Sequence, residues 1–181
     1  MRRFAFALML SVGIALVASA APAQAERTAL LPERARVDAF TQSLGVHVAS
    51  LEIPKLGLEE VVRQGVDLSV IDKGVAHWSG TAGPGSAGNM VLAGHRTTKT
   101  APFRDLDQLA PGDEVTVTGI DGRSAVYQVV ETIIVTPEEM WIVDQTESPT
   151  LTMFACHPKG SATHRIVVRA ALMEQPVVQF P

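Results

Sequence analysis

Glu114-Val115-Thr116-Val117-Thr118-Gly119-Ile120-Asp121-Gly122-Arg123-Ser124-Ala125-Val126-Tyr127 is the stretch whose pattern decides the fold. From Val115 to Thr118 apolar and polar residues alternate, the period of a strand with one buried and one wet face. Gly119-Ile120-Asp121-Gly122 supplies turn chemistry, and an apolar run resumes over 127–135, so the segment predicts a β-hairpin.

Working outward, short apolar runs broken by Gly, Pro and Asp continue from Val48 onward, the spacing of an all-β barrel or sandwich. Strands are predicted over 48–53, 58–64, 89–93, 114–120, 125–135, 149–155 and 165–172. Helix is confined to short connections: a turn over 67–71, another over 101–109 stopped by Pro111-Gly112, and a short start at Glu138-Glu139 after Pro137. The glycine-rich loop 79–88 cannot be regular structure, and it delivers the chain into the strand that ends at His95.

The 181 residues are 46% hydrophobic and 19% charged, which fits one domain with a real core and excludes a disordered chain. A formal charge of −4, no basic stripe and only 5% aromatic residues give no footprint for a nucleic-acid partner. The single cysteine, Cys156, excludes an intramolecular disulfide and any multi-cysteine metal cluster.

Residues 1–25 read as a targeting segment. Arg2 and Arg3 are followed by an uncharged run from Phe4 to Gln24, and Ala23-Gln24-Ala25 matches a small-x-small cleavage site. The segment is a cleaved secretory signal or a retained anchor, since about 18 apolar residues just suffice to cross a bilayer. Both readings put the remainder outside the cytoplasm, with membrane attachment if the segment stays. A polar linker over 26–46 leads to the domain at 47–173, and 174–181 form a tail.

Export sharpens the question of Cys156, because a lone thiol there is either buried as a small hydrophobe or kept for its chemistry. In Leu151-Thr152-Met153-Phe154-Ala155-Cys156-His157-Pro158, alternation sets Thr152, Phe154 and Cys156 on one face and Leu151, Met153 and Ala155 on the other. Pro158 cannot continue a central ladder, so Cys156 lies near the strand terminus, where a thiol is reachable. His157 points to the opposite side and is poorly placed as its base. His95, at the end of the run Asn89-Met90-Val91-Leu92-Ala93-Gly94, suits that role better, although a hydrogen-bonded structural histidine has the same signature. Arg165 and Arg169 share one face of the last strand, Arg165 nearer the Cys156 end and Arg169 read as a rim salt bridge. Cys156, His157 and His164 match no common zinc spacing, and no carboxylate set is clustered for calcium.

The set His77-Trp78-Ser79-Gly80-Thr81-Ala82-Gly83-Pro84-Gly85, Gly88-Asn89-Met90-Val91-Leu92-Ala93-Gly94-His95-Arg96-Thr97-Thr98, Ala101-Pro102-Phe103-Arg104-Asp105-Leu106, Cys156-His157-Pro158-Lys159 and Arg165-Ile166-Val167-Val168, in this order, resembles the sortases. Within them it is most similar to the class E sortases of high-GC Gram-positive bacteria. The resemblance implies a single eight-stranded β-barrel with short helices in its connections, no cofactor and no metal. It maps the catalytic histidine, cysteine and arginine onto His95, Cys156 and Arg165. The implied reaction is transpeptidation through a thioester on Cys156, on proteins bearing a Leu-Pro-x-Thr-Gly or Leu-Ala-x-Thr-Gly-like sorting signal. The acceptor would be an amine of a peptidoglycan precursor or a pilin. One departure stands out. The family usually has Thr-Leu-x-Thr before the cysteine, and here the residues are Thr152-Met153-Phe154-Ala155, which puts in doubt any contact that the last hydroxyl would make.

Two other classes compete with this reading. A non-catalytic exported barrel that binds peptide would use Cys156 only as a small buried residue, and Ala155 is the feature in its favour. A cell-wall cysteine peptidase of the NlpC/P60 type typically has its cysteine at a helix N-terminus ahead of the histidine, the reverse of the order here.

Overall fold

The structure, a computed structural model, describes residues 44–173. The targeting segment, all but the end of the linker, and the tail 174–181 lie outside the described residues.

Eight strands form a closed barrel: β1 (His47–Ile53), β2 (Leu58–Gln64), β3 (Val75–His77), β4 (Asn89–Ala93), β5 (Glu114–Gly119), β6 (Ser124–Val135), β7 (Thr150–His157) and β8 (His164–Leu172). Their order around it is β1-β2-β3-β4-β7-β8-β6-β5. The hairpin predicted over 114–135 is β5–β6, antiparallel with Val115 opposite Tyr127 and Val117 opposite Ala125. Two neighbouring pairs are parallel, β2 with β3 and β4 with β7.

Alternation produces the core. Leu51, Ile53, Val115, Val117, Tyr127, Met90, Leu92, Leu151, Met153, Ala155, Ile166 and Val168 fill the barrel interior. At about 25 cal/mol per Å² of apolar surface removed from water, this cluster is the main term holding the barrel closed. A second cluster on the outer face joins Val135, Ile142 and Val167 with Ile133, Val143 and Phe154. It lies beneath the β6–β7 connection, which carries a 3-10 turn at Met140–Val143. All five residues of β4 are buried, so both of its faces are covered.

The predicted strands are present with ends moved by at most two residues, and the implied eight-stranded barrel is observed. β3 was not foreseen, because three buried residues are too few to display a period. The turn expected over 101–109 is present as a 3-10 turn confined to Leu106–Gln108. The carbonyl of Arg104 accepts a hydrogen bond from Arg96 Nε at 2.6 Å, while Gln108 N–H turns to Asp105 instead, so no α-helical bond forms across that turn. The turn expected at 67–71 is the short helix α1 (Leu68–Ile71) in the β2–β3 connection.

Candidate active site

Three adjacent strands, β4, β7 and β8, bring the sequence-selected residues into one row. Cys156 is the penultimate residue of β7, and its Cα partner across the antiparallel β7–β8 pair is Arg165. On the other side, Ala93 of β4 is registered with Phe154, and Gly94 N–H continues the ladder to Phe154 O at 3.3 Å. His95 lies two residues beyond Ala93, as Cys156 lies two beyond Phe154. With strands about 4.8 Å apart, imidazole, thiol and guanidinium arise from neighbouring backbones at one end of the barrel.

The row lies on the outer face. Leu151, Met153 and Ala155 belong to the interior cluster, which turns Phe154 and Cys156 outward. Ile166 and Val168 likewise point inward and leave Arg165 and Arg169 outside. Cys156 is free and half-buried. Ala155 is 2% exposed, inside the barrel opposite Ile166. A hydroxyl at that position would face the core and not a substrate, so the departure from the family pattern leaves the groove intact. The feature that favoured a non-catalytic binding barrel is thereby removed.

His95 follows Gly94, where a Cβ would come within 2.8 Å of Phe103 Cδ2 and 3.0 Å of Pro102 Cγ. The glycine is what lets this loop pack against the strand end. Phe103 N–H then bonds His95 O at 3.2 Å. The next residue, Arg96, is buried, with Nε on Arg104 O and Nη2 2.8 Å from Asp107 Oδ1. Lys159, three residues past Cys156, pairs with Asp105 at 2.8 Å and approaches Asp107 at 3.6 Å. The loops flanking His95 and Cys156 are therefore tied to one another by charge. His95 Nε2 itself stands 2.9 Å from Asp72 Oδ1. That hydrogen bond, followed by one from Lys99, holds the Asp72 carboxyl below its usual range.

Beside the row lies a cleft of about 160 Å³ lined by Trp78, Pro137, Met140, Ile142, Phe154 and Arg165, among others. Its size is that of a side chain, whereas cofactor and drug sites run to roughly 300 Å³ and more. Trp78 and Phe154 pack with ring centroids 6.1 Å apart. A larger concavity of about 350 Å³ on β1 and β2 is lined by Glu52, Glu59 and Glu60, has neither cysteine nor histidine in its wall and is remote from β7 in the barrel order. Arg165 Nη1 donates to Ala162 O at 3.0 Å and His164 O at 2.9 Å, which curls it over the β7–β8 loop. Arg169 pairs with Glu131 at 3.2 Å, the salt bridge expected of it.

Sequence reasoning passed over several residues that build this site. Asn89, buried at the start of β4, donates from Nδ2 to Ile142 O and Asp144 O and accepts from Thr152 Oγ1 at 2.8 Å, pinning the cleft wall to the barrel. A polar residue opening a fully apolar strand was the available signal. His77 is buried against Gln64 Oε1, Thr81 Oγ1 and Ala82 O, and burial lowers its pKa. Asp72 gave no signal at all.

A sortase domain model matches residues 51–173. The chain belongs to the sortase family. Sortases as a family act on LPxTG-type sorting-signal proteins and on pilin or cell-wall acceptors. They are cysteine transpeptidases, and so is this chain. It is 31% identical over 159 residues to sortase D of Bacillus subtilis, spanning 85% of this chain and 78% of that one. It is also 31% identical over 147 residues to sortase SrtE1 of Streptomyces coelicolor, which covers 72% of this sortase but only 42% of the relative's length. The solved sortase E of Streptomyces avermitilis superposes with a TM-score of 0.65 at 33% identity, over 74% of this chain and 93% of that one.

Proposed function

We propose that this sortase is of the class E type and cleaves a Leu-Pro-x-Thr-Gly or Leu-Ala-x-Thr-Gly-like signal between threonine and glycine. The Cys156 thiolate attacks the threonine carbonyl, His95 protonates the departing glycine amine, and a thioester remains. His95 then takes a proton from the incoming amine, and Arg165 supplies fixed positive charge to the oxyanion or the substrate backbone. The observation that carries this reading is the register of β4, β7 and β8, with Cys156 opposite Arg165 and His95 one strand away. The cleft bounded by Phe154 and Arg165 supports an apolar signal residue lodging beside the scissile bond. No cofactor or metal enters the scheme. Class E membership is supported by the 33% identity to the Streptomyces sortase E. The targeting segment supports work outside the cytoplasm, anchored to the membrane if it is retained.

The test is to incubate the protein with a library of sorting-signal peptides plus an amine and to read products by mass. Product should form with a Leu-Pro or Leu-Ala signal, and a vinyl-sulfone version should label Cys156. Cys156→Ala and His95→Ala should each abolish product, Arg165→Ala nearly so, and turnover should follow a bell-shaped pH profile. Transfer that survives Cys156→Ala would end the reading.

A further inference from the structure

We propose that Asp72 is a positioning residue for His95: it holds the Nε2–H, so that Nδ1 is the ring nitrogen that exchanges the proton with substrate. This rests on the reading of His95 as the proton-transfer group.

The backbone around His95 is already fixed. Gly94 N–H is bonded to Phe154 O, His95 O accepts from Phe103 N–H, and Arg96 is buried on the loop beyond. What remains free is the ring. A flip about its last torsion exchanges Nδ1 with Cδ2 and Nε2 with Cε1, so only one of the two orientations brings Nε2 to the Asp72 carboxylate. Asp72, at the end of α1, resolves that choice with Oδ1 2.9 Å from Nε2. Among the described residues Nδ1 has no hydrogen-bond partner. The second carboxylate oxygen is occupied as well. Lys99 Nζ sits 3.1 Å from Asp72 Oδ2, at the tip of a loop where Lys99 and Ala101 take φ of 56° and 46°. Non-glycine residues in the left-handed region carry a conformational cost and persist only where their surroundings hold them there. Here that backbone returns an ammonium group to the carboxylate, which fixes Asp72 from its far side. The ring, 19% exposed, and the carboxylate, 35% exposed, are reachable by solvent, yet the ring is held at Nε2 and the carboxylate at both oxygens.

The proton then follows one route. As the C–N bond of the threonine–glycine amide breaks and the C–S bond forms, the glycine nitrogen takes the proton from Nδ1. The ring is left neutral with its proton on Nε2, against Asp72. The incoming amine attacks the thioester carbonyl, its nitrogen gives a proton to Nδ1, and Cys156 leaves as thiolate. Asp72 keeps the same contact throughout and exchanges no proton.

The experiment compares the unaltered protein with Asp72→Ala, Asp72→Asn and Lys99→Ala, by peptide-transfer kinetics, thermal unfolding and 15N NMR of the histidine rings. In the unaltered protein the neutral His95 ring should be the Nε2–H tautomer. Asp72→Ala should populate both tautomers and lower kcat about ten- to hundred-fold with little change in KM for the signal peptide. Asp72→Asn, whose amide oxygen still accepts from Nε2–H, should recover a large part of that loss. Lys99→Ala, which removes one exposed support of the carboxylate, should lower kcat by clearly less than Asp72→Ala does. A dominant Nδ1–H tautomer in the unaltered protein would overturn the proposal, as would an unchanged kcat in Asp72→Ala. An equal kcat loss in Lys99→Ala and Asp72→Ala, tracking equal losses of melting temperature, would also overturn it by assigning Asp72 a purely structural role. If the unaltered protein forms no thioester, the reading of Cys156 fails instead. The tautomer measurement needs no turnover and still decides the role of Asp72.

Discussion

Threonine at position 155 would place its side chain among Leu151, Met153 and Ile166, in the interior cluster of the barrel. Inserting a methyl and a hydroxyl into a closed core should cost stability, on the order of 1–2 kcal/mol. Ala155→Thr is therefore expected to lower the melting temperature by a few degrees. The rate at which a sorting-signal vinyl sulfone labels Cys156, per folded molecule, should stay unchanged. A labelling rate that moved tenfold would show that position 155 does reach the groove. The same alternation made Cys156 and Arg165 legible from sequence, since strand period two says which side chains face out together. It also sets His157, the neighbour of Cys156 in β7, on the opposite side of the strand. Asp72 was illegible for a physical reason: it lies 23 positions from His95, at the end of a helix one turn long, and meets it only through tertiary packing.

At the level of elements, the β6–β7 connection owes its seat to Asn89. Its side chain caps two carbonyls of the 3-10 segment and accepts the Thr152 hydroxyl, 63 positions away. Removing a buried amide leaves such groups without partners, at roughly 1–3 kcal/mol for each one left unpaired. Asn89→Ala should destabilise the protein by about 2–3 kcal/mol and loosen the wall formed by Met140 and Ile142. The expected kinetic signature is a rise in KM for the signal peptide that exceeds any fall in kcat, because the cleft wall moves while His95 and Cys156 do not. A fall confined to kcat would show that the wall is not a binding surface. Long strands such as β6 and β7 were readable because several periods of alternation accumulate in each. The turn expected over 101–109 narrows to Leu106–Gln108 because a buried guanidinium, Arg96, takes the carbonyl of Arg104. No local pattern announces such a competitor.

The topology of the whole molecule explains which relations were legible. Hairpins such as β5–β6 are local and follow from turn chemistry, but the pairing that creates the site is the parallel β4–β7 contact, closed only after β5 and β6 intervene. Spacing alone does not specify such a crossover, so barrel closure was expected through family resemblance and not through pattern. The closed barrel also buries an imidazole whose effect on stability is global. His77, 8% exposed, joins β3 to the loop after it, and burial lowers its pKa from 6.5. The folded state then resists a proton that the unfolded chain accepts, so stability is full above about pH 6.5 and is lost as pH falls toward the lower folded value. Asp72, Asp105, Asp113, Asp121 and Glu139 are held below their usual values by hydrogen bonds and neighbouring cations. Their contribution is present above about pH 4 and disappears as they are protonated below it. The melting temperature should therefore be level near neutrality, decline below about pH 6.5, and decline again below about pH 4. In His77→Gln the first decline should vanish while the second persists, whatever the variant's overall stability. A first decline that survives in His77→Gln would mean that a group other than the buried imidazole couples acid to unfolding of the barrel.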